Sequence, residues 1–191
     1  MHERYEVDHG FLSDEIGSDV VAIGRLINAF FRWEFNSCET INKDGRIHPL
    51  DFANAVPDVA LVSLHHYFPW AMSALVRWTV FCVATNRRMK IDMNTQRYFD
   101  IADREDLSFA EKLDLYRAAT ADYFEEDRFR DFVATHLEGF DERVRDYFDG
   151  DAFDELLVRS VKATFPEHEH ERFIEHFRGL IAHWVEGQAT P

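Results

Sequence analysis

The chain has 191 residues, 46% of them apolar and 30% charged, and a formal net charge of −15. That is long enough for a full hydrophobic core and too apolar for a disordered chain. The negative field repels phosphate backbones and anionic lipid heads, which argues against nucleic acid and membrane surfaces as partners; it suits metal cations and basic partners, and leaves a protein partner or a homo-oligomer open.

Ser13 is placed to cap a helix whose first turn carries Asp14 and Glu15. Val20, Ile23, Ile27, Phe30 and Phe31 recur at helical spacing, and the helix is expected to run to about Phe35. Asn36 to Pro49 is polar, contains Gly45 and reads as a loop. A short helix is expected over Leu50 to Ala55, ended by Pro57. Between Asp58 and Thr85 apolar residues lie nearly all round the helix, the pattern of an interior helix, with a kink or break at Pro69. His65, His66, Pro69 and Arg77 make this stretch a poor membrane span. Cys82 lies within it and reads as a small core residue, while two cysteines, Cys38 and Cys82, make no disulfide framework. With no basic start and apolar stretch at the N-terminus, a reducing, cytoplasmic setting is expected.

Asn94 to Ala102 is expected to form a short helix. Ser108 and Glu111 have the spacing of a capping box, opening a helix to about Phe124. Phe129, Phe132, Val133 and Leu137 mark another helix. Gly150 precedes one with Phe153, Leu156, Leu157 and Val161 inward. Pro166 opens the last, with Phe173, Phe177, Leu180, Ile181 and Trp184 as its apolar stripe. No stretch alternates long enough to predict a strand. The expected fold is all-α: one domain over residues 1–191, a bundle of about seven or eight helices around a buried, Pro-kinked central helix.

One segment has the spacing of a calcium loop. An EF-hand places oxygen ligands at positions 1, 3, 5 and 12, a backbone carbonyl at 7 and glycine at 6. With Thr40 first, Asn42 falls third, Asp44 fifth, Gly45 sixth, Arg46 seventh with its backbone carbonyl, and Asp51 twelfth. Ile47 takes the aliphatic eighth place and Phe52 begins the exit. This stretch resembles an EF-hand, with Thr40 in place of an acidic first ligand, Asp51 one methylene short of Glu, and Pro49 inside its second half. Upstream, Phe31-Arg32-Trp33-Glu34-Phe35-Asn36 resembles the aromatic entering helix of bacterial relatives of sarcoplasmic calcium-binding proteins. In that register Asn36 is the first ligand and the loop to Asp51 is four residues longer. The resemblance implies a weak or degenerate calcium site at Thr40, Asn42, Asp44, Arg46 and Asp51. A helix–helix connection with a left-handed Gly45 is the competing reading. A second loop at Asp100 to Glu111 lacks the chemistry in its first half and reads as a capped helix start.

The ten histidines raise other chemistry. Glu167 and His170 have the Glu-x-x-His spacing of di-iron bundles, and Glu34 is a candidate partner; a solvated helix start explains the same residues. His176 and His183 are seven apart and share a face, and His65 and His66 stand in the central segment. His65, His66 and His176 are therefore the candidates for holding a cofactor or small ligand. The serine elbow, the phosphate-cradling glycine loop and Cys-x-x-Cys are all missing from the sequence. The readings carried forward are a calcium-binding EF-hand-like protein, a ferritin-like or haem-oxygenase-like bundle holding iron, manganese or a small ligand, and a helical interaction module.

Overall fold

A computed structural model describes residues 13–52, 55–91 and 94–188. The fold is all-α but for one small hairpin: α1 Asp14–Phe31, β1 Thr40–Lys43, β2 Arg46–Pro49, α2 Leu61–Leu64, α3 Phe68–Ala84, α4 Gln96–Ala102, α5 Phe109–Phe124, α6 Glu126–His136, α7 Phe140–Phe148, α8 Asp151–Thr164 and α9 His170–Gln188. Single 3₁₀ turns lead into α3 at His65–Tyr67 and into α9 at Glu167–Glu169. The backbone gathers into two compact units, Met1–Pro57 with Arg88–Arg130, and Asp58–Arg87 with Asp131–Pro191.

In the first unit, α1 begins where its cap requires: the Ser13 hydroxyl accepts from the Ile16 N–H at 3.3 Å. It ends earlier than Phe35, at Arg32, whose φ of 62° reverses the chain. The guanidinium of Arg32 turns back to the Ala29 carbonyl and lies 5.2 Å over the Tyr123 ring. Ala22, Ile23 and Ile27 on α1 pack with Leu113 of α5 and Ile47 of β2, and Ala29 packs with Tyr98 and Tyr123. The capping box at α5 forms in full, Ser108 and Glu111 each satisfying the other's backbone N–H.

The stretch read as a loop is a β-hairpin. Lys43 pairs with Arg46, Asn42 with Ile47 and Thr40 with Pro49. Asp44 and Gly45 form its two-residue turn, with φ of 55° and 77°. Two successive positive φ values are what a type I′ turn needs, and Asp-Gly is a preferred pair for it. The strands are four residues each and expose all but the inward Ile47 and the half-buried Thr40, which leaves no alternation to read in the sequence. Residues 50–52 are irregular rather than helical, and 53 and 54 lie outside the described residues.

In the second unit the expected central helix is interrupted before Pro69. His65 takes φ 54° and ψ −127°, a conformation that favours glycine, between α2 and the 3₁₀ turn. Pro69 then sits in the first turn of α3, where its missing N–H costs nothing. Phe68, Pro69, Ser73 and Phe81 of α3 are buried, while Trp70, Val76, Val80 and Val83 reach the surface. Helix α7 was not anticipated; Gly139, at φ 68°, separates it from α6. The core is a single aromatic-rich cluster of Leu61, Phe68, Phe148, Phe153, Leu157, Val161 and the α9 stripe Phe173, Phe177, Ile181 and Trp184.

Leu157 is 1% exposed at the centre of that cluster. Leu157→Ala is expected to cost about 3 kcal/mol, read as a lower denaturation midpoint in chemical unfolding. A loss below about 1 kcal/mol means that this cluster does not bear the unit's stability.

Candidate functional site

The chemistry-bearing residues of the second unit fall in two places, a histidine array and a charged cleft. The array forms because α9 packs against the His65–Tyr67 turn. His65 and His176 stand with ring centroids 6.5 Å apart and nearly perpendicular, and His66 and His183 stand 5.4 Å apart. The strained joint at His65 is what lets two adjacent histidines both meet α9, since consecutive residues on a regular helix diverge. His66 is buried, and its Nδ1 lies 3.2 Å from the Leu180 carbonyl oxygen. His65 packs edge-on against Phe177 at 5.6 Å. Its pKa is lowered, first by burial and then by the neighbouring His176, with a hydrogen bond to the Val62 backbone acting the other way. Of the three histidines singled out in the sequence, His65 thus meets His176, while His66 meets His183.

The cleft lies between α3, α7 and α9. It encloses about 270 Å³ and is lined by Trp70, Ser73 and Arg77 of α3, Asp141, Glu142 and Arg145 of α7, and Trp184 of α9. Trp70, Ser73 and Arg77 are spaced by three and four residues, hence on one face. Arg77 pairs with Asp141 and lies 5.0 Å over the Phe140 ring. Its Nε–H is buried with no acceptor, and burial pushes its pKa down. The cleft therefore sets two guanidiniums and two carboxylates between two indoles. None of these residues was marked as a site in the sequence: Arg77 registered only as a charge costly in hydrocarbon, and Trp184 only as core.

No known family, curated protein or solved structure matches this chain.

The calcium-loop residues lie on the hairpin of the first unit. Asn42, Asp44, Arg46 and Asp51 are exposed, and Thr40 is half-buried at the hairpin's base. Backbone bonds from Glu39 N–H to the Asp51 carbonyl, 2.8 Å, and from Leu50 N–H to the Glu39 carbonyl, 2.9 Å, extend the pairing past the strands. At about 3.3 Å per residue, the turn at Asp44 and the base at Asp51 are roughly 20 Å apart along the extended hairpin. A calcium ion takes its oxygens at about 2.3–2.6 Å, so the hairpin would have to curl to bring Asp44 and Asp51 to one ion. The guanidinium of Arg46 lies 4.5 Å over the Phe109 ring. Among the described residues, no group of three or more His, Cys, Asp or Glu is gathered to hold a metal ion. His170, of the Glu-x-x-His spacing, turns Nε2 to the Phe165 carbonyl at 2.8 Å, while Glu167 stays exposed in the 3₁₀ turn. No described helix is long and apolar enough to cross a membrane.

Two outcomes follow. Millimolar calcium, with magnesium as control, is expected to leave the melting temperature unchanged; a calcium-specific rise lost in Asp44→Ala would show that the hairpin opens to chelate. The depressed pKa of His65 means that the folded chain takes up its proton less readily than the unfolded chain. Stability is therefore complete above about pH 6.5, the ordinary histidine value, and declines as pH falls toward the lower folded value. His65→Gln should flatten the fall in melting temperature between about pH 7 and 5. An equally steep fall in the variant would assign that loss to other groups.

Proposed function

We propose that this chain is a helical binding protein for a small zwitterion of amino-acid size, held in the cleft between α3, α7 and α9. The observation that carries the reading is Arg77, a half-buried guanidinium lining that cleft with its Nε–H sealed from water and without an acceptor. A buried donor in that state costs about 1–3 kcal/mol, which a ligand carboxylate would recover. Guanidinium forks match carboxylate geometry, so Arg77 and Arg145 form the anion-binding side. Asp141 and Glu142 offer the complementary side for an ammonium group. Trp70, exposed at the rim, and Trp184, nearly buried, supply indole walls against which an apolar or cationic body stacks. The volume of about 270 Å³ lies below the range for drug-sized ligands and suits a compact molecule. The near balance of charge in the cleft, within a chain of net charge −15, supports a zwitterion over a bare anion or cation.

The test is a thermal-shift and tryptophan-fluorescence screen of the protein amino acids, with succinate and benzoate as plain carboxylates. At least one amino acid should raise the melting temperature and change the indole emission. Arg77→Gln should weaken that binding about tenfold or more, the loss of one charge-assisted hydrogen bond. Trp70→Ala should weaken it while leaving the unliganded protein's melting temperature in place. A screen with no shift, or a shift that survives Arg77→Gln, overturns the assignment.

A further inference from the structure

We propose that the cleft between α3, α7 and α9 selects a neutral α-amino acid with an apolar, ring-bearing side chain, and that Ser73 is the specificity-determining residue that reads its carboxylate beside Arg77. This selectivity rests on the reading of the cleft as the binding site. Ser73 is 6% exposed and lines the cleft. A hydroxyl inside a helix can donate to a carbonyl three or four residues back. Three threonines of this chain do so: Thr120 to Arg117 at 3.0 Å, Thr85 to Phe81 at 2.7 Å and Thr164 to Ser160 at 2.8 Å. Ser73 makes no such bond, nor one to any other residue of the protein. Its O–H is therefore uncommitted in a place where water is largely excluded. A buried hydroxyl in that state is unfavourable, and an acceptor on a ligand relieves it.

Arg77 follows Ser73 by four residues. Residues at that spacing share a helix face about 6 Å apart along the axis, and long side chains lean back toward the N-terminus. Ser73 and Arg77 thus offer a neutral and a charged donor on one side of the cleft, and a carboxylate has two oxygens to receive them. A primary amide has one acceptor oxygen and no charge, so the pair separates an amino acid from its amide. The remaining charges narrow the side chain. Asp141 is paired with Arg77, and Arg145 has Asp146 at 3.7 Å. Glu142 lines the cleft without an ion pair. One uncommitted carboxylate, set against the remaining donors of Arg77, matches one ammonium and one carboxylate. A second ligand cation would share the cleft with Arg77 and Arg145, and a second anion with Asp141 and Glu142, so a neutral body is the least opposed. The rest of the wall is indole. Trp184 is 9% exposed and held edge-on to Phe148 at 5.7 Å, whereas Trp70 stands 64% exposed at the rim. A fixed inner ring and an open outer one receive an apolar ring by stacking.

The test is calorimetric titration of the full chain with phenylalanine, phenylalaninamide, lysine and glutamate, on the wild type, Ser73→Ala and Arg77→Gln. Phenylalanine should bind at least about tenfold more tightly than its amide or either charged amino acid. Ser73→Ala should weaken phenylalanine about tenfold, the loss of one hydrogen bond to a charged group, and change the amide by less than about threefold. Without ligand, Ser73→Ala should keep or raise the unfolding midpoint, because it removes a buried hydroxyl that has no partner. A lowered midpoint would show that the hydroxyl serves the fold, and overturns its assignment to the ligand. Phenylalanine affinity that survives Ser73→Ala but is lost in Arg77→Gln overturns the role of Ser73 and leaves the cleft as the binding site. Lysine or glutamate bound as tightly as phenylalanine overturns the side-chain class. A wild type that binds none of the three amino acids overturns this selectivity together with the cleft reading beneath it.

Discussion

The seating of α9 by its aromatic stripe governs all the chemistry of the second unit. Phe173 stacks on Phe165 with centroids 3.7 Å apart, and Phe177 stacks in turn on Phe173 at 6.2 Å. Phe177 is 1% exposed and Ile181 3%. These rings recur every three or four residues, so burying them sets the rotation of the whole helix. Each residue turns a helix by about 100°, and a slip of one position would carry His176 and His183 away from the 65–67 turn. The same rotation aims Trp184 into the cleft. Burial of apolar area thus orients polar groups that contribute little to stability themselves.

The strain at His65 belongs to the same economy. A non-glycine residue at positive φ costs on the order of 1–3 kcal/mol and persists only where the surroundings over-determine it. Here Leu61 on one side and Phe68 on the other are both locked in the core, which leaves the joint no alternative. The outcome is a pair of adjacent histidines that each meet α9. In the first unit the strained positions are Arg32, at the end of α1, Glu125, at the end of α5, and the hairpin turn, where Asp44 and Gly45 tolerate the conformation at small cost.

Charge is distributed on two scales. The arginines of the surface are paired locally, as Arg25 with Glu126 at 2.7 Å, Arg117 with Asp19 at 2.8 Å and Arg178 with Asp154 at 2.5 Å. Exposed pairs of this kind are screened by solvent and contribute little to stability. Arg77 differs because it is partly withdrawn from water and one of its donors is left without an acceptor. The acid surplus of the whole chain sets a general preference for cations, but the cleft lining is locally balanced, with Arg77 and Arg145 against Asp141 and Glu142.

The helices were legible wherever local signals agree with burial. Ser13, the Ser108–Glu111 box, Pro166 and the Phe173–Trp184 stripe each mark a boundary or a face that needs no distant partner. The hairpin was not, because its short strands bury only Ile47, and Asp44-Gly45 serves equally as part of a calcium loop or as a two-residue turn. Spacing along the chain cannot tell a curled loop from an extended one; the cross-strand pairing of Lys43 with Arg46 does. Helix α7 was missed because one glycine at positive φ is all that divides it from α6. For the site, the sequence by itself determined which residues could act: His65, His66 and His176 stand out by type, and His176 and His183 share a face by spacing. Only the tertiary structure decided which of them meet, and it alone assembled the cleft, since Arg77, Asp141 and Trp184 come from three helices far apart in the chain. The physical reason is that periodicity encodes which face of a helix is buried, whereas the identity of the neighbour across that face depends on how whole apolar surfaces pack together.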